Sequence, residues 1–128
     1  MTNLPMLRLE WGIDGLKSAI KRKDIVVIID QIRFSCAVVT AVALGFTIEP
    51  TSDKARKTES FSLSPSTFFN RQPQRVVIAS SNGSYLSINA KEGKQVVYGC
   101  ILNARAVAEW LDESNENTTL LAAGEIDV

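Results

Sequence analysis

Apolar positions along this chain switch between unbroken β-branched runs and stretches of helical period. Residues 25–29, "IVVII", form a continuous apolar run and predict a strand covered on both faces. Residues 36–44 are apolar almost all round, which predicts a buried helix, with Gly45 at its C-cap position. Residues 76–79 predict a second buried strand. Asn82-Gly83 opens a helix running to about Ala90 that Gly93 closes, and residues 95–98 predict a third strand. After Asn103, the positions Ala104, Val107, Ala108 and Leu111 fall at i, i+3, i+4 and i+7, an amphipathic helix. Residues 118–123 predict a last strand.

Ahead of these, Leu7–Trp11 suits an edge strand, and Ile13, Leu16, Ala19 and Ile20 mark a short amphipathic helix. Residues 50–74 are less regular, with Ser64-Pro65 in the arrangement of an N-cap and first helical residue. There is no internal repeat and no low-complexity segment. Strands alternating with helices predict an α/β fold, three-layer α/β/α, on a mostly parallel or mixed sheet. Residues 1–128 are expected to form a single domain.

Composition narrows the function. With 128 residues, 45% of them hydrophobic, the chain can bury one core. Fourteen basic and fourteen acidic residues cancel, so no global field favours nucleic acid or an anionic membrane. The clusters Lys21-Arg22-Lys23 and Lys54, Arg56, Lys57 read as solvated helix ends. The N-terminus lacks a secretory pattern and the apolar runs fall short of the ~20 residues that span a bilayer, so a cytoplasmic protein is expected. The chain has no His, which removes Ser-His-Asp and Cys-His mechanisms and His-based zinc sites. Cys36 and Cys100, each in apolar surroundings, are expected as buried free thiols.

Ligands of such a fold bind beyond the carboxyl ends of the strands. Turns of this kind are Asp30-Gln31-Ile32-Arg33-Phe34-Ser35, Ser80-Ser81-Asn82-Gly83-Ser84, and residues 99–103, ending in Asn103. Each sets polar residues where helix-start N–H groups point outward, a natural anion site. Asp30 can hold a divalent cation, and Arg33 can make paired hydrogen bonds to an oxyanion. Local readings stay open beside these. Asp30 and Ser35 equally suit capping, with Arg33 paired to Asp30; the "SSNGS" stretch suits a turn plus cap; Asn103 suits a plain N-cap. "GSYLSINAKEG" has no Walker spacing, and Asp30-Gln31-Ile32 lacks the second acid of phosphatases that form an aspartyl-phosphate.

"LEWGIDGLKSAIKRKDIVVIIDQIRFSCAVVTAVALG" resembles the amino-terminal part of the 2-phosphosulfolactate phosphatases, with their Val/Ile-rich strand and Asp-x-x-Arg-x-Ser/Thr turn. Further along, "FSLSPSTFF", "RVVIASSNGSYL", "VVYGCILNARAVAEWL" and "TTLLAAG" are similar to successive segments of that family, with serines replacing the threonines of a Thr-Thr-Asn-Gly-Thr turn. The resemblance implies an α/β phosphoric monoester hydrolase that uses Mg²⁺ to convert 2-phosphosulfolactate to sulfolactate on the route to coenzyme M. It assigns Asp30 to the metal or the attacking water. Arg33, Ser35, Ser81, Asn82, Gly83 and Ser84 would hold the phosphate or sulfonate, with Asn103 in support. Gln31 stands where the family usually has an aliphatic residue.

The resemblance also implies that this chain corresponds to roughly the first half of a family member. Glu125 and Asp127, after the last strand, could stand in for later carboxylates or form a solvated tail. Missing strands would expose an unpaired sheet edge, so a homo-oligomer is expected. The expected ligand is a small phosphorylated or sulfonated metabolite. The alternatives are a non-catalytic anion-binding module and a structural half-domain that works as an oligomer.

Overall fold

A computed structural model of the chain describes residues 4–124. In chain order the elements are β1 (Leu7–Trp11), α1 (Gly12–Arg22), β2 (Ile25–Ile29), α2 (Phe34–Ala43), β3 (Thr47–Thr51), β4 (Arg75–Ala79), α3 (Gly83–Asn89), β5 (Gln95–Gly99), α4 (Ala104–Ser114) and β6 (Thr118–Ala122). The strands form one four-stranded sheet in the order β1-β6-β2-β5 and a two-stranded sheet β3-β4. All described pairings are parallel, because each strand is followed by a helix or a long crossover that returns the chain to the same edge. The result is the expected α/β architecture, a parallel sheet with helices on both sides.

The run at 25–29 becomes the inner strand β2, flanked by β6 and β5, with Ile25 to Ile28 at most 1% exposed. Strand β3 was not anticipated, since the sequence around residue 50 reads as irregular. Its motif "TIEPT" carries Pro50, which cannot donate to a ladder, and the strand pairs with β4 alone. Pro65–Phe68 is one 3₁₀ turn, and the Ser64 side chain makes no cap bond to it. Lys54–Arg56 is likewise a single 3₁₀ turn rather than the end of a longer helix, whereas Lys21 and Arg22 do lie in the last turn of α1. Helix α2 ends as the glycine predicts: Gly45 has φ +92°, and the Phe46 N–H reaches back to the Ala41 carbonyl.

Two hydrophobic clusters hold the layers together. One packs α1 and α3 on the sheet through Leu16, Ala19, Val26, Ile28, Leu86 and Leu121. The other joins α2 to β4 through Phe34, Ala37, Val38, Val76 and Ile78, with Phe46, Phe61 and Phe68 as a ring cluster at centroid distances of 5.2–5.9 Å. Tyr98 packs against both clusters. On the other face of the sheet, an apolar groove of about 710 Å³ separates the Val107, Ala108 and Leu111 stripe of α4 from Val27, Ile29 and Leu120.

At the amino ends of the strands sits an ion network. Asp24 is wholly buried, and its Oδ2 accepts hydrogen bonds from Arg8 (2.9 Å), Arg22 (3.1 Å) and Thr119 (2.8 Å). Arg22 also reaches Glu10 at 2.7 Å, so one acid ties α1 to β1 and β6. Burial opposes the charge on Asp24, but the Thr119 and Arg22 bonds and the two guanidinium charges outweigh it and hold the carboxyl below the usual range. Cys36 and Cys100 are buried free thiols, as expected. Among the described residues no helix is long and apolar enough to cross a membrane. Glu125 and Asp127 lie outside the described residues.

Candidate functional site

The turn after β2 is shaped from beneath by Ser35. Its buried hydroxyl accepts from the Asp30 N–H (2.9 Å) and donates to the Ile28 carbonyl (3.2 Å), while the Ser35 N–H donates to the Asp30 carbonyl (2.9 Å). That reciprocal pair uses both functions of the hydroxyl and holds Asp30 at the strand's carboxyl end. Burial pushes the half-buried Asp30 carboxyl up from its ordinary value, and a hydrogen bond from the Gly83 N–H works against that rise. Arg33, two residues before the buried Ser35, is exposed and donates from Nη1 to the Ser64 hydroxyl. It forms no ion pair with Asp30 among the described residues, so the self-paired reading of this turn does not hold.

The turn after β4 meets the first through Gly83. A Cβ built at Gly83 would overlap the Phe34 ring and lie 2.8 Å from the Phe34 Cβ, so only glycine lets the start of α3 close onto α2. Ser80 caps that helix by accepting from the Ser84 N–H at 3.3 Å, and its own N–H donates to the Thr51 carbonyl at 3.1 Å. Ser81 is exposed and Asn82 half-buried. Ser84 is wholly buried, and its hydroxyl has no hydrogen-bond partner among the described residues.

The turn after β5 is fixed by Asn103, whose Oδ1 accepts from the Cys100 N–H (2.9 Å) and whose Nδ2 donates to the Tyr98 carbonyl (3.0 Å). The side chain thus braces the chain before it and makes no cap bond to α4. Because Ile29 pairs with Gly99, this turn lies beside the first, and the Gln31 Oε1 accepts from the Ile101 N–H at 3.2 Å. The Cys36 thiol donates to the Gln31 carbonyl at 3.3 Å. Its pKa is pushed up to about 11, first by burial and then by the neighbouring Cys100 thiol and the Asp30 charge. It stays protonated and is no nucleophile at neutral pH.

The three turns therefore converge, joined through Asp30, Gly83 and Gln31. Asp30, Arg33, Ser81 and Asn82 keep surface exposure, whereas Ser35, Gly83 and Ser84 are buried beneath them and the amide of Asn103 is engaged within its turn. Ser64 was missed by the sequence reading. Its only signal was the Ser-Pro pair, which reads as a local cap and says nothing of a partner 31 residues away. For a divalent cation, no group of three His, Cys, Asp or Glu side chains exists among the described residues. Asp30 is the single carboxylate in the three turns, so a divalent cation there would have to take its remaining ligands from water and a bound anion.

The family model of 2-phosphosulpholactate phosphatase matches residues 49–127, more than half of the chain. That span contains the second and third turns and begins after the Asp30 turn. A curated relative, a probable 2-phosphosulfolactate phosphatase of Caldanaerobacter subterraneus, is 31% identical over 75 residues. The matched stretch is 55% of this chain and spans only 31% of the relative's own length. No solved structure matches the chain.

Proposed function

The chain belongs to the 2-phosphosulpholactate phosphatase family, and from that premise we propose that it acts as a Mg²⁺-dependent phosphoric monoester hydrolase on 2-phosphosulfolactate, releasing sulfolactate and phosphate on the route to coenzyme M. The observation that carries this reading is the convergence of three strand-end turns, joined through Asp30, Gly83 and Gln31, with Arg33 exposed in the first of them.

In the reaction a water oxygen forms a bond to phosphorus, the ester P–O bond breaks, and the departing alkoxide takes up a proton. Asp30 would hold Mg²⁺, which when bound would supply charge neutralisation and polarise the phosphoryl group. Asp30 also orients the attacking water. No His is present to take the water's proton, which passes to the departing alkoxide as the ester bond breaks. Arg33 donates to the phosphoryl oxygens as charge develops on them. Ser81, Asn82 and the backbone near Gly83 flank the same group, Ser35 and Asn103 hold their turns in place, and the Ser84 N–H ties its turn to Ser80. The protein is read as a cytoplasmic enzyme of small anionic metabolites, with no nucleic-acid or membrane partner.

A homo-oligomer is supported by β1. Leu7, Leu9 and Trp11 share one face of this edge strand and are 66%, 57% and 63% exposed. A second copy packed on that face would cover them. Light scattering that returns a monomer mass at micromolar concentration sinks that part.

The test of the enzyme reading is phosphate release from 2-phosphosulfolactate with Mg²⁺, with chelator, and with Asp30→Ala. Metal-dependent release that disappears in the variant supports it. A folded wild-type chain that releases nothing leaves instead an anion-binding module.

A further inference from the structure

A serine just before a proline is a natural cap for the turn that follows, yet the Ser64 hydroxyl makes no such bond. It accepts instead from Arg33 Nη1, in a turn 31 residues earlier in the chain. The backbone of Ser64 is spent on its own segment. Its N–H donates to the Ser62 hydroxyl at 3.2 Å, and its carbonyl accepts from the Thr67 N–H at 3.0 Å. Pro65 takes the first position of that 3₁₀ turn. The turn ends on Phe68, which is buried against Phe46 and Phe61 at centroid distances of 5.2 and 5.5 Å. The aromatic cluster therefore fixes where this hydroxyl stands, and the hydroxyl serves a side chain from elsewhere.

Arg33 needs such a support. Its backbone is held, because the Ala37 N–H donates to its carbonyl at 2.9 Å. The side chain beyond is exposed and pairs with no acid among the described residues. A free arginine side chain spreads over many rotamers, and having to order them on binding weakens the contact it makes. One bond from Nη1 to a fixed hydroxyl orders the guanidinium beforehand and leaves Nε and Nη2 to meet an oxyanion as a pair. A carboxylate in place of Ser64 would order it equally well but would compete with the anion for its charge. A hydroxyl fixes the group without neutralising it.

We propose that Ser64 is a positioning residue, which aims the Arg33 guanidinium at the phosphoryl group without itself touching the substrate. The proposal rests on the phosphatase reading and extends its machinery to residues 62–68, a segment outside the three strand-end turns.

The experiment is a double-substitution cycle of Ser64→Ala and Arg33→Ala, read as phosphate release from 2-phosphosulfolactate. Ser64→Ala lowers kcat/KM on the order of tenfold, the usual loss when a hydrogen bond to a charged group is removed. Ser64→Thr, which keeps the hydroxyl, restores most of it. In the Arg33→Ala background, Ser64→Ala has no further effect. Equal losses from Ser64→Ala in the two backgrounds, or no loss in either, overturn the proposal, because a hydroxyl that only supports the fold acts without Arg33. A second arm needs no turnover: inorganic phosphate is titrated into the same four proteins and followed by ¹H–¹⁵N chemical shifts. Weaker phosphate binding in Ser64→Ala, seen only where Arg33 is present, supports the positioning role even where wild type releases no phosphate, an outcome that would reject the phosphatase reading alone. A wild type that binds phosphate no more tightly than Ser64→Ala overturns the positioning role.

Discussion

Gly83→Ala isolates the contact that brings two of the turns together. An added Cβ would lie 2.8 Å from the Phe34 Cβ and overlap the ring beyond it. Rotating the ring cannot relieve the first of these, because the Phe34 Cβ is fixed to the α2 backbone. Phe34 is wholly buried and meets Tyr98 edge to face at a centroid distance of 5.7 Å, so it has little room to retreat. An overpacked core costs roughly 1–3 kcal/mol. Replacing Gly by Ala within a helix contributes in the opposite sense, up to ~1 kcal/mol, and less at the first helical position. The steric term wins, and the variant is expected to lose about 1–2 kcal/mol. For a domain of this size that lowers Tm by roughly 3–8 °C. Calorimetry or thermal circular dichroism measures it. Phe34→Leu in the same background should recover part of the loss, with a coupling energy on the order of 1 kcal/mol. A Gly83→Ala protein as stable as wild type would refute the close approach of α3 to α2, and with it the geometry that lets the Gly83 N–H reach Asp30.

Further outcomes follow from the same contacts. Asp24→Asn removes the acid that three donors share and leaves two partly exposed guanidinium groups without it, so stability should drop by roughly 2–3 kcal/mol in urea denaturation. Since the folded pKa of Asp24 is lowered, its contribution is complete above the ordinary carboxylate value of 3.8 and fades as pH falls through the folded pKa; the Asn variant should lack that acid-side component. Asp30 has the opposite sign. Its folded pKa is raised, so charging it costs stability as pH rises through that value, and Asp30→Asn should raise Tm at pH 7, lose the gain at pH 3, and abolish phosphate release. An unchanged Tm at pH 7 would count against burial as the cause. Ser35→Ala strands the Asp30 N–H and the Ile28 carbonyl, costing about 1–3 kcal/mol and speeding hydrogen exchange at Asp30; unaltered exchange would refute the reciprocal bond.

The order of strands and helices, the buried character of β2, the glycine stop after α2 and the three polar turns were all legible in the chain, because each depends on the period and backbone freedom of neighbouring residues. Tertiary structure decided the rest. Strand β3 is hidden by Pro50, whose lost donor matters only if a strand lies on that side, and β4 pairs on the other. Asn103 looks like a cap for the helix after it, yet the fold turns its amide back onto residues 98 and 100. Gly83 looks like a loop residue for ligand approach, and what demands it is a phenylalanine from another helix. Gln31, which departs from the family pattern, proves to be the tie between two turns 70 residues apart. Arg33, too, shows its charge in the sequence but not its partner, Ser64. Residue types and local period specify which groups sit at strand ends; which of those groups meet depends on register and helix packing between distant segments, and no local pattern encodes that.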